Sequence, residues 1–445
     1  MGNLKDKNVF YVGMGLVTTV GYILLSFFIQ RHESLYLIPV YGILFILYFL
    51  YLSGFQERFA LKSKLNFALF LRFIMILSLP TLSDDLYRFV WDGTLILEGI
   101  NPYSIIPSQL IAQQETLPNG ISAELYQQLN SPEYFTVYPP LSQAIFALTT
   151  FLGGGRVYFI SLMTGIFVLL AEAGTIYAIK GLLKRYKKNQ NMVLWYAFNP
   201  LIIIELSGNL HYEAFMIFFI VLSIALLSSR NFVMAGVMFG LAVSVKLIPL
   251  IFLPLFIRRL PWKNLIYFYA AVGITVILLC IPFVSRELIT GINDSIGLYF
   301  HTFEFNASIY YLLREVGWYE EGFNIIRTAG PRLALLTFGV ILLYSRIEKL
   351  HPVRIFDAFL WVMVLYFSLA TTVHPWYLAT LVAMAVFTEY RFPVVWSGLI
   401  FLTYVGYTAE FFKENYVVVI IEYSIVLIML LLEVRKKEKQ LQRIP

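Results

Sequence analysis

Long apolar runs are the feature that most constrains how this chain can fold. Phe10–Phe28, Val157–Ile179 and Tyr416–Leu432 are almost entirely apolar, and each is close to the about 20 residues that a membrane-spanning helix needs. Across the chain 59% of the residues are hydrophobic and only 13% are charged, whereas roughly 25% are charged in soluble domains. A soluble globule of 445 residues could not cover its surface with so little charge. The sequence therefore predicts a polytopic integral membrane protein.

The apolar runs are continuous rather than alternating, which favours helices over a barrel as the spanning structure. We predict an all-α membrane helical bundle that forms a single domain over residues 1–445, with about 11–14 transmembrane helices, several of which are short. The first span follows Lys5 and Lys7 without a small-residue cleavage site, so we expect it to be an uncleaved helix. Cys280 is the only cysteine, which excludes a disulfide framework. The candidate spans are residues 9–29, 35–53, 65–80, 157–180, 192–207, 212–229, 232–246, 247–258, 264–284, 331–345, 355–371, 376–390, 393–411 and 415–434.

The basic residues give these spans an orientation. With the N-terminus in the cytoplasm and alternating spans, 24 of the 33 lysines and arginines fall on the inner side. They are Lys5, Lys7, Arg58, Lys62, Lys64, Arg72, the five within Lys180–Lys188, Arg230, Arg258, Arg259, Lys263, Arg346, Lys349, Arg354, Arg391 and the five within Arg435–Arg443. This bias predicts cytoplasmic termini in a plasma-membrane protein, with two long extracytoplasmic loops at 81–137 and 285–330. Tyr138–Leu152 must then be a half-membrane or surface helix, because a full crossing there would invert every later loop. Most of the net charge of +6 is this topology signal, and no nucleic-acid partner is predicted.

The start of the first long loop carries the most informative polar group. Asp84 and Asp85 are adjacent carboxylates just after the third predicted span. On a helix, Arg88 lies within reach of both carboxylates, and Asp92 extends the same stripe by one turn. The structural interpretation is a helix start, capped by Ser83 and stabilised by acidic residues in its first turn. The functional interpretation is a site at the membrane surface where a carboxylate accepts the proton of an attacking sugar hydroxyl.

Further polar residues recur at span ends on the predicted outer side. Each of them has a structural alternative, as a helix cap, a snorkelling lysine or an interface aromatic belt. Lys246 interrupts an apolar run, and an ionisable residue at membrane depth is a functional hypothesis by default. His211 and Glu213 are two candidate metal ligands, which is too few to predict a metal site. The group comprises Tyr138, Asn209, His211, Glu213, Lys246 and His374.

These motifs together resemble the GT-C superfamily of membrane glycosyltransferases. They are most similar to bacterial polyprenol-phosphate-mannose-dependent mannosyltransferases, and they occur in the order of that family from the third predicted span to the twelfth. A more distant resemblance is to the glycosylphosphatidylinositol mannosyltransferases, whose Asp-x-Asp-Tyr motif places its two aspartates on Asp84 and Leu86 when aligned on Tyr87. The shared motifs are SDDLYRFVWDG at 83–93, GINPY at 99–103, YPPL at 138–141, ELSGNLHYE at 205–213, KLIP at 246–249 and HPWY at 374–377.

The resemblance implies a specific chemistry. A hexose, with mannose favoured, would pass from a polyprenyl-phosphate donor to a hydroxyl of a lipid or glycan acceptor at the extracytoplasmic face, with inversion. Asp84 or Asp85 would be the catalytic base, and Lys246 would stabilise the leaving phosphate, with Arg88 and His374 as further cationic candidates. The resemblance implies no cofactor, and a divalent cation is compatible with it but not required. The implied substrate-binding residues are Arg88, Asp92, Tyr138, Asn209, His211, Glu213, Lys246 and His374.

Two other function classes remain open from the sequence. A lipid or sugar transporter would carry charged residues near the bilayer midplane and paired broken helices, whereas here most polar residues gather at one predicted membrane face. A polysaccharide polymerase or ligase would use similar lipid-linked substrates but transfer a whole glycan. An assay of the purified protein with polyprenyl-phosphate sugars would separate the three classes.

Overall fold

The computed structural model describes residues 4–54, 59–113, 117–285, 297, 301–347 and 354–441. Within these residues the chain is helical, and the extended pairings are two isolated bridges, so the predicted all-α fold class is confirmed. Three of the basic residues counted above and parts of both predicted loops lie outside the described residues. They are Arg58, Lys349 and Arg443, and residues 114–116, 286–296 and 298–300.

The α-helices are numbered here in chain order. They are α1 Leu4–Phe27, α2 Ser34–Gly54, α3 Leu61–Met75, α4 Asp85–Leu97, α5 Pro107–Ala112, α6 Ala123–Gln127, α7 Pro140–Leu152, α8 Val157–Arg185, α9 Leu194–Ala197, α10 Pro200–Ile202, α11 Glu213–Ser228, α12 Phe232–Val245, α13 Trp262–Cys280, α14 Ile309–Glu321, α15 Ile326–Ile347, α16 Ile355–Leu369, α17 Leu378–Ala385, α18 Phe392–Leu399 and α19 Tyr416–Leu441. A π-helical turn, Ile203–Gly208, continues α10, and short 3₁₀ turns occupy Gln190–Val193, Ile248–Phe256, Ile281–Phe283, Pro375–Tyr377 and Ile400–Gly406.

Six helical segments in the described part of the chain are long and apolar enough to cross a membrane. A seventh is obtained when the broken pair Pro200–Gly208 and Glu213–Ser228 counts as one span. The remaining apolar helices have 10–17 residues, and Pro140–Leu152, the predicted half-membrane helix, is one of them. The six long segments are Phe10–Phe27, Ser34–Ser53, Val157–Arg185, Trp262–Phe283, Ile326–Arg346 and Tyr416–Gln440.

The contacts divide the chain into two compact units. The first comprises Met1–Leu82, Ile179–Asn209 and His374–Pro445. Within it α1 packs on α2 and α3, and α18 packs on both α17 and α19. Glu433 of α19 accepts hydrogen bonds from the backbone N–H groups of Arg391 (2.9 Å) and Phe392 (3.2 Å), which fixes α19 to the start of α18.

The second unit comprises Ser83–Ala178 and Leu210–Val373. Within it α12 packs against α11 and α13, and α4 packs along α7. The approach of α4 to α7 depends on a glycine, because a Cβ at Gly93 would lie 2.6 Å from the carbonyl oxygen of Phe146. Small residues let helix backbones approach closely without a driving force from bulk hydrophobicity. The first predicted loop is therefore largely structured, since α4, α5 and α6 all lie within 81–137.

Candidate active site

The two adjacent aspartates lie where α4 begins. Asp84 immediately precedes the helix and its side chain does not cap it, and Asp85 is the first helical residue. Ser83 accepts a hydrogen bond from the backbone N–H of Asp85 at 3.3 Å. The helix begins at the aspartates as predicted, but its N-cap residue is Asp84, so the predicted cap by Ser83 is wrong by one residue. Both aspartates are half-buried. Burial raises the pKa of Tyr87, and the charge of Asp84 raises it further.

Both carboxylate oxygens of Asp85 accept hydrogen bonds from side chains distant in sequence. The Tyr138 hydroxyl donates to Oδ2 at 2.9 Å, and the Asn130 amide donates to Oδ1 at 2.8 Å. His211 Nδ1 lies 3.9 Å from the same Oδ2. Asp85, Tyr138 and His211 are thus brought together as the functional interpretation requires, and Asn130 joins them without any signal in the sequence.

An aromatic layer holds Tyr138 in place. Its ring makes edge-to-face contacts with Phe89 and Phe146, each at 5.2 Å between centroids, and those two rings stack on one another at 4.5 Å. Tyr212 packs edge-on against the stacked pair. The Tyr103 hydroxyl donates to the backbone carbonyl of Tyr138 at 2.6 Å. Because its ring and backbone are both fixed, the Tyr138 hydroxyl is directed at Asp85 with little rotational freedom.

Arg88 and Asp92 form a buried network beneath the aspartates. Arg88 Nε donates to Asp92 Oδ1 at 2.8 Å, which is the contact that their i, i+4 spacing on α4 favours. The other Asp92 oxygen accepts from Thr136 at 2.6 Å and from Gln143 at 2.9 Å. Arg88 also donates to the carbonyl oxygens of Ser131 and Tyr134. The two predicted substrate-binding residues therefore tie α4 to the segment that precedes α7 and to α7 itself.

Lys246 pairs with a buried carboxylate. The chain reaches Glu213, the first residue of α11, through Leu210, whose φ of 59° places it in the left-handed region. Lys246 Nζ donates to Glu213 Oε1, while Glu213 Oε2 is buried without a hydrogen-bond partner in the described structure. The Lys246 side chain is 18% exposed and that of Glu213 is 0% exposed. A buried acid thus holds the ammonium at the end of α12, and part of the lysine remains accessible.

The aspartate group and the lysine pair belong to one local structure. The Ser142 hydroxyl, in the first turn of α7, donates to the carbonyl of Val245 at 2.9 Å. Tyr138 lies four residues before Ser142, and Lys246 directly follows Val245. A second connection runs through the start of α11: His211, which lies near Asp85, is two residues from Glu213, which pairs with Lys246. A base candidate and a partly accessible cation are therefore joined by short chain segments within one unit.

The remaining two predicted site residues, Asn209 and His374, belong to the first unit and contact other residues there. Asn209 accepts from the backbone N–H of Leu82 at 3.2 Å and donates to Glu205 at 3.0 Å. Glu205 also accepts from the Tyr404 hydroxyl at 2.8 Å. His374 stacks on Trp376 with 4.4 Å between ring centroids, within the predicted aromatic motif. Across the described residues, no three histidine, cysteine, aspartate or glutamate side chains are grouped so that they could hold a metal ion.

Comparison with known proteins identifies the family of this chain. A family model described as alpha-(1->6)-mannopyranosyltransferase, N-terminal domain, matches residues 21–260. This range includes every predicted site residue except His374. The predicted family resemblance is therefore confirmed.

Two curated relatives match over shorter regions. Alpha-(1->6)-mannopyranosyltransferase A of Mycobacterium tuberculosis is 23% identical over 228 residues, which are 49% of this chain and 42% of that protein. The protein of the same name from Corynebacterium glutamicum is 24% identical over 181 residues, which are 40% of this chain and 35% of that protein. The matched regions thus span less than half the length of either relative.

Proposed function

We propose that this chain, which belongs to the alpha-(1->6)-mannopyranosyltransferase family, transfers a mannosyl group from a polyprenyl-phosphate donor to a hydroxyl of a lipid or glycan acceptor. One observation carries the proposal: the second unit gathers two half-buried aspartates, a fixed tyrosine and a carboxylate-held lysine over a few short segments. Transfer to a hydroxyl needs a base for the acceptor and a cation for the leaving phosphate. These residues supply both.

In the proposed reaction Asp84 removes the proton from the acceptor hydroxyl as its oxygen bonds to the anomeric carbon. The bond from that carbon to the donor phosphate oxygen breaks on the opposite face, so the configuration inverts. The electron pair stays on the phosphate, which leaves as polyprenyl phosphate. We assign the base role to Asp84 because the first aspartate of the resembling Asp-x-Asp-Tyr motif falls on it. Asp85 accepts hydrogen bonds from Asn130 and Tyr138, which suits it to orienting the acceptor.

Lys246 is proposed to stabilise the leaving phosphate. An ammonium has three donors, so Lys246 can keep its bond to Glu213 and still donate to a phosphate oxygen. A charge-assisted hydrogen bond in a poorly solvated site is strong. The buried partner also keeps Lys246 from turning toward solvent when no donor is bound. His211 and Tyr138 complete the proposed substrate surface around Asp85, with Arg88 and Asp92 supporting it from below.

We further propose that this site faces the extracytoplasmic side of the plasma membrane, with both termini in the cytoplasm. The distribution of basic residues supports this orientation, since 24 of 33 fall on one side when the predicted spans alternate. A lipid-phosphate donor suits that side because its apolar chain remains in the bilayer while the sugar-phosphate reaches the membrane surface.

The discriminating experiment offers the purified, reconstituted protein two mannose donors, polyprenyl-phosphate mannose and a nucleotide-linked mannose, with the same acceptor mixture. We expect transfer from the lipid donor alone. Thermal protection by the lipid donor, but not by the nucleotide sugar, is the expected binding counterpart. Transfer from the nucleotide sugar alone would contradict the proposed donor class.

A second candidate function is transport of a lipid-linked sugar, and one observation favours it. Two carboxylates, Glu172 in α8 and Glu422 in α19, are buried within candidate spans. Glu422 accepts from the Trp396 indole N–H at 2.6 Å. Ionisable residues inside the membrane often mark transport pathways. Movement of a fluorescent lipid-linked sugar between leaflets, in the absence of any acceptor, would favour transport over transfer.

A further inference from the structure

Helix α14 exposes a stripe of large apolar side chains and buries its arginine. Its exposed residues include Leu312 (70%), Val316 (51%) and Tyr319 (92%), whereas Tyr310 and Arg314 face the protein and are buried. Leu312, Val316 and Tyr319 recur at spacings of three and four residues and so form one stripe. Ile309 and Leu313 extend the same stripe at the start of the helix. The exposed residues of α14 also include Glu315, Glu320 and Glu321. The helix thus exposes an apolar stripe together with charged side chains, which suits the boundary between an apolar medium and water.

The inward polar face is firmly held. Arg314 donates to Glu304 at 2.7 Å, and its guanidinium lies 4.3 Å above the ring of Tyr311. The Tyr310 hydroxyl bonds to Glu304 and, at 3.0 Å, to Asn324. These contacts fix the rotation of α14 about its axis. Because these contacts fix the helix, the apolar stripe faces outward whichever rotamers its side chains adopt.

The length and charge of α14 exclude a membrane crossing. The helix has 13 residues, which corresponds to about 20 Å at about 1.5 Å per residue, against a hydrocarbon core of about 30 Å. Glu315 lies at the edge of the stripe, and Glu320 lies in its last turn, at the helix end. Such charges are costly in the hydrocarbon core but are tolerated among lipid headgroups. Trp318 and Tyr319 are the residue types enriched at that boundary.

Chain connectivity places α14 beside the end of a membrane span. The helix ends at Gly322, whose φ of 76° reverses the chain, and the candidate span Ile326–Arg346 begins four residues later. Four residues reach at most about 14 Å, so α14 cannot lie far from the surface that this span enters. The span itself exposes large apolar residues, such as Leu335 (71%), as a lipid-facing helix does.

The same segment is connected to the candidate active site. The Phe303 ring lies 6.1 Å from that of Tyr134, whose carbonyl accepts from Arg88. Phe305 pairs with Thr372 through a backbone bridge. The stretch that leads into α14 is thus packed on the loop that carries Asp84 and Asp85. A helix held at the bilayer surface through these contacts would also set the depth of the aspartates relative to the lipid headgroups.

We propose that α14 is an interfacial membrane helix, with its stripe of Ile309, Leu312, Leu313, Val316 and Tyr319 inserted among the lipid acyl chains just below the headgroups of the leaflet that faces the candidate active site. The short connection to a lipid-facing span, the flanking aromatic residues and the glutamates at the edge and end of the stripe favour a lipid occupant over a protein partner. This proposal concerns membrane contact alone and does not require the proposed transferase activity.

The test uses nitroxide labels on single cysteines at Leu312, Val316 and Tyr319 in a Cys280→Ser background, with one protein copy per phosphatidylcholine nanodisc. The exposed sites tolerate a label without disturbing packing. The accessibility of each nitroxide to oxygen, which concentrates in the bilayer, is compared with its accessibility to a water-soluble nickel chelate. Gln113 is the aqueous control and Leu335 the bilayer control, because both side chains are exposed.

We expect the oxygen-to-nickel accessibility ratio at all three positions to lie several-fold above the value at Gln113 and at or below the value at Leu335. Ratios equal to that at Gln113 would overturn the proposal, because the stripe would then face water. Low accessibility to both reagents would overturn it as well, because the stripe would then be covered by protein. Since nitroxide accessibility is measured without any enzymatic reaction, loss of activity in a variant does not affect the conclusion.

Discussion

The Tyr138 hydroxyl donates a hydrogen bond of 2.9 Å to Asp85 Oδ2. The two residues are 53 positions apart, and the aromatic layer around Tyr138 leaves its hydroxyl directed at the carboxylate. A hydrogen bond to a charged group contributes roughly 1.5–3 kcal/mol. The orientation of Asp85 therefore depends on a side chain from a distant segment, and this dependence can be measured.

Tyr138→Phe should lower the rate of transfer by about tenfold or more, since about 1.4 kcal/mol corresponds to one factor of ten. The ring contacts survive in this variant, so the protein should retain its thermal stability to within a few degrees. Tyr319→Phe, at an exposed site far along the chain, is the matched control and should leave the rate unchanged. An unaltered rate in Tyr138→Phe would remove this hydroxyl from the mechanism.

Lys246→Met should weaken donor binding and slow transfer, because the leaving phosphate gains charge in the transition state. Lys246→Arg should restore part of the activity, since the charge remains while the geometry differs. The donor Michaelis constant and the turnover number of both variants are the measurements. If Lys246 serves only to neutralise the buried Glu213 carboxylate, the Met variant should lose thermal stability but keep its donor Michaelis constant and turnover number, and that result would exclude the residue from the site.

Glu213→Gln separates the two roles of the pair. The amide can still accept a hydrogen bond from Lys246, but it removes a buried charge. We expect this variant to bind the donor at least as tightly as the wild type, because the anionic phosphate then meets no carboxylate charge beside the ammonium. A donor affinity that falls as much as in Lys246→Met would contradict the proposed division of roles.

Asp92→Ala should be strongly destabilising. Asp92 is fully buried and is the charged partner of Arg88, so its loss leaves a buried cation with two backbone carbonyls as its remaining partners and no counter-charge. Breaking such a pair typically costs about 3–5 kcal/mol. Glu98→Ala, on the exposed end of the same helix, is the control and should cost at most about 1 kcal/mol. Thermal unfolding in detergent makes the comparison, and an unchanged melting temperature with a raised donor Michaelis constant would instead favour direct substrate binding by Asp92.

Membrane orientation can be tested by cysteine labelling of intact cells. Gln113 and Thr302, in the two long loops, are exposed and should react with an impermeant reagent, whereas Lys187 is exposed but should be protected. Asn306 lies in the second loop but is fully buried, so it cannot serve as a probe. Labelling at position 187 in sealed cells would reverse the proposed orientation.

Local spacing made part of the site predictable. Arg88 and Asp92 are four residues apart on a helix, so their ion pair follows from helical geometry alone. The start of α4 at the aspartates was similarly readable from the acidic first turn, although the N-cap is Asp84 and not Ser83. The family resemblance identified Glu213 and Lys246 as separate candidates.

Long-range packing was not predictable. The pairing of Glu213 with Lys246 depends on how α11 meets the end of α12, 33 residues later. Asn130, Thr136 and Gln143 have ordinary polar side chains in a long loop and a short helix, and nothing in their spacing pointed to the two aspartates that they contact. The number of membrane spans was also hard to predict, because composition does not show where turns interrupt an apolar run. Helices α12, α16 and α17, for example, are apolar but shorter than a full crossing.

The most direct test of the account is the rate of mannosyl transfer from polyprenyl-phosphate mannose by the reconstituted wild-type protein, Asp84→Asn and Asp85→Asn. Both substitutions keep the size of the side chain, and Asp84 makes no capping bond that asparagine would lose. We expect the wild type to transfer mannose, Asp84→Asn to be slower by about 10²-fold or more, as for loss of a general base, and Asp85→Asn to be impaired less. A severe loss in Asp85→Asn with an active Asp84→Asn would move the base by one residue. Full activity in both variants would contradict the proposed mechanism.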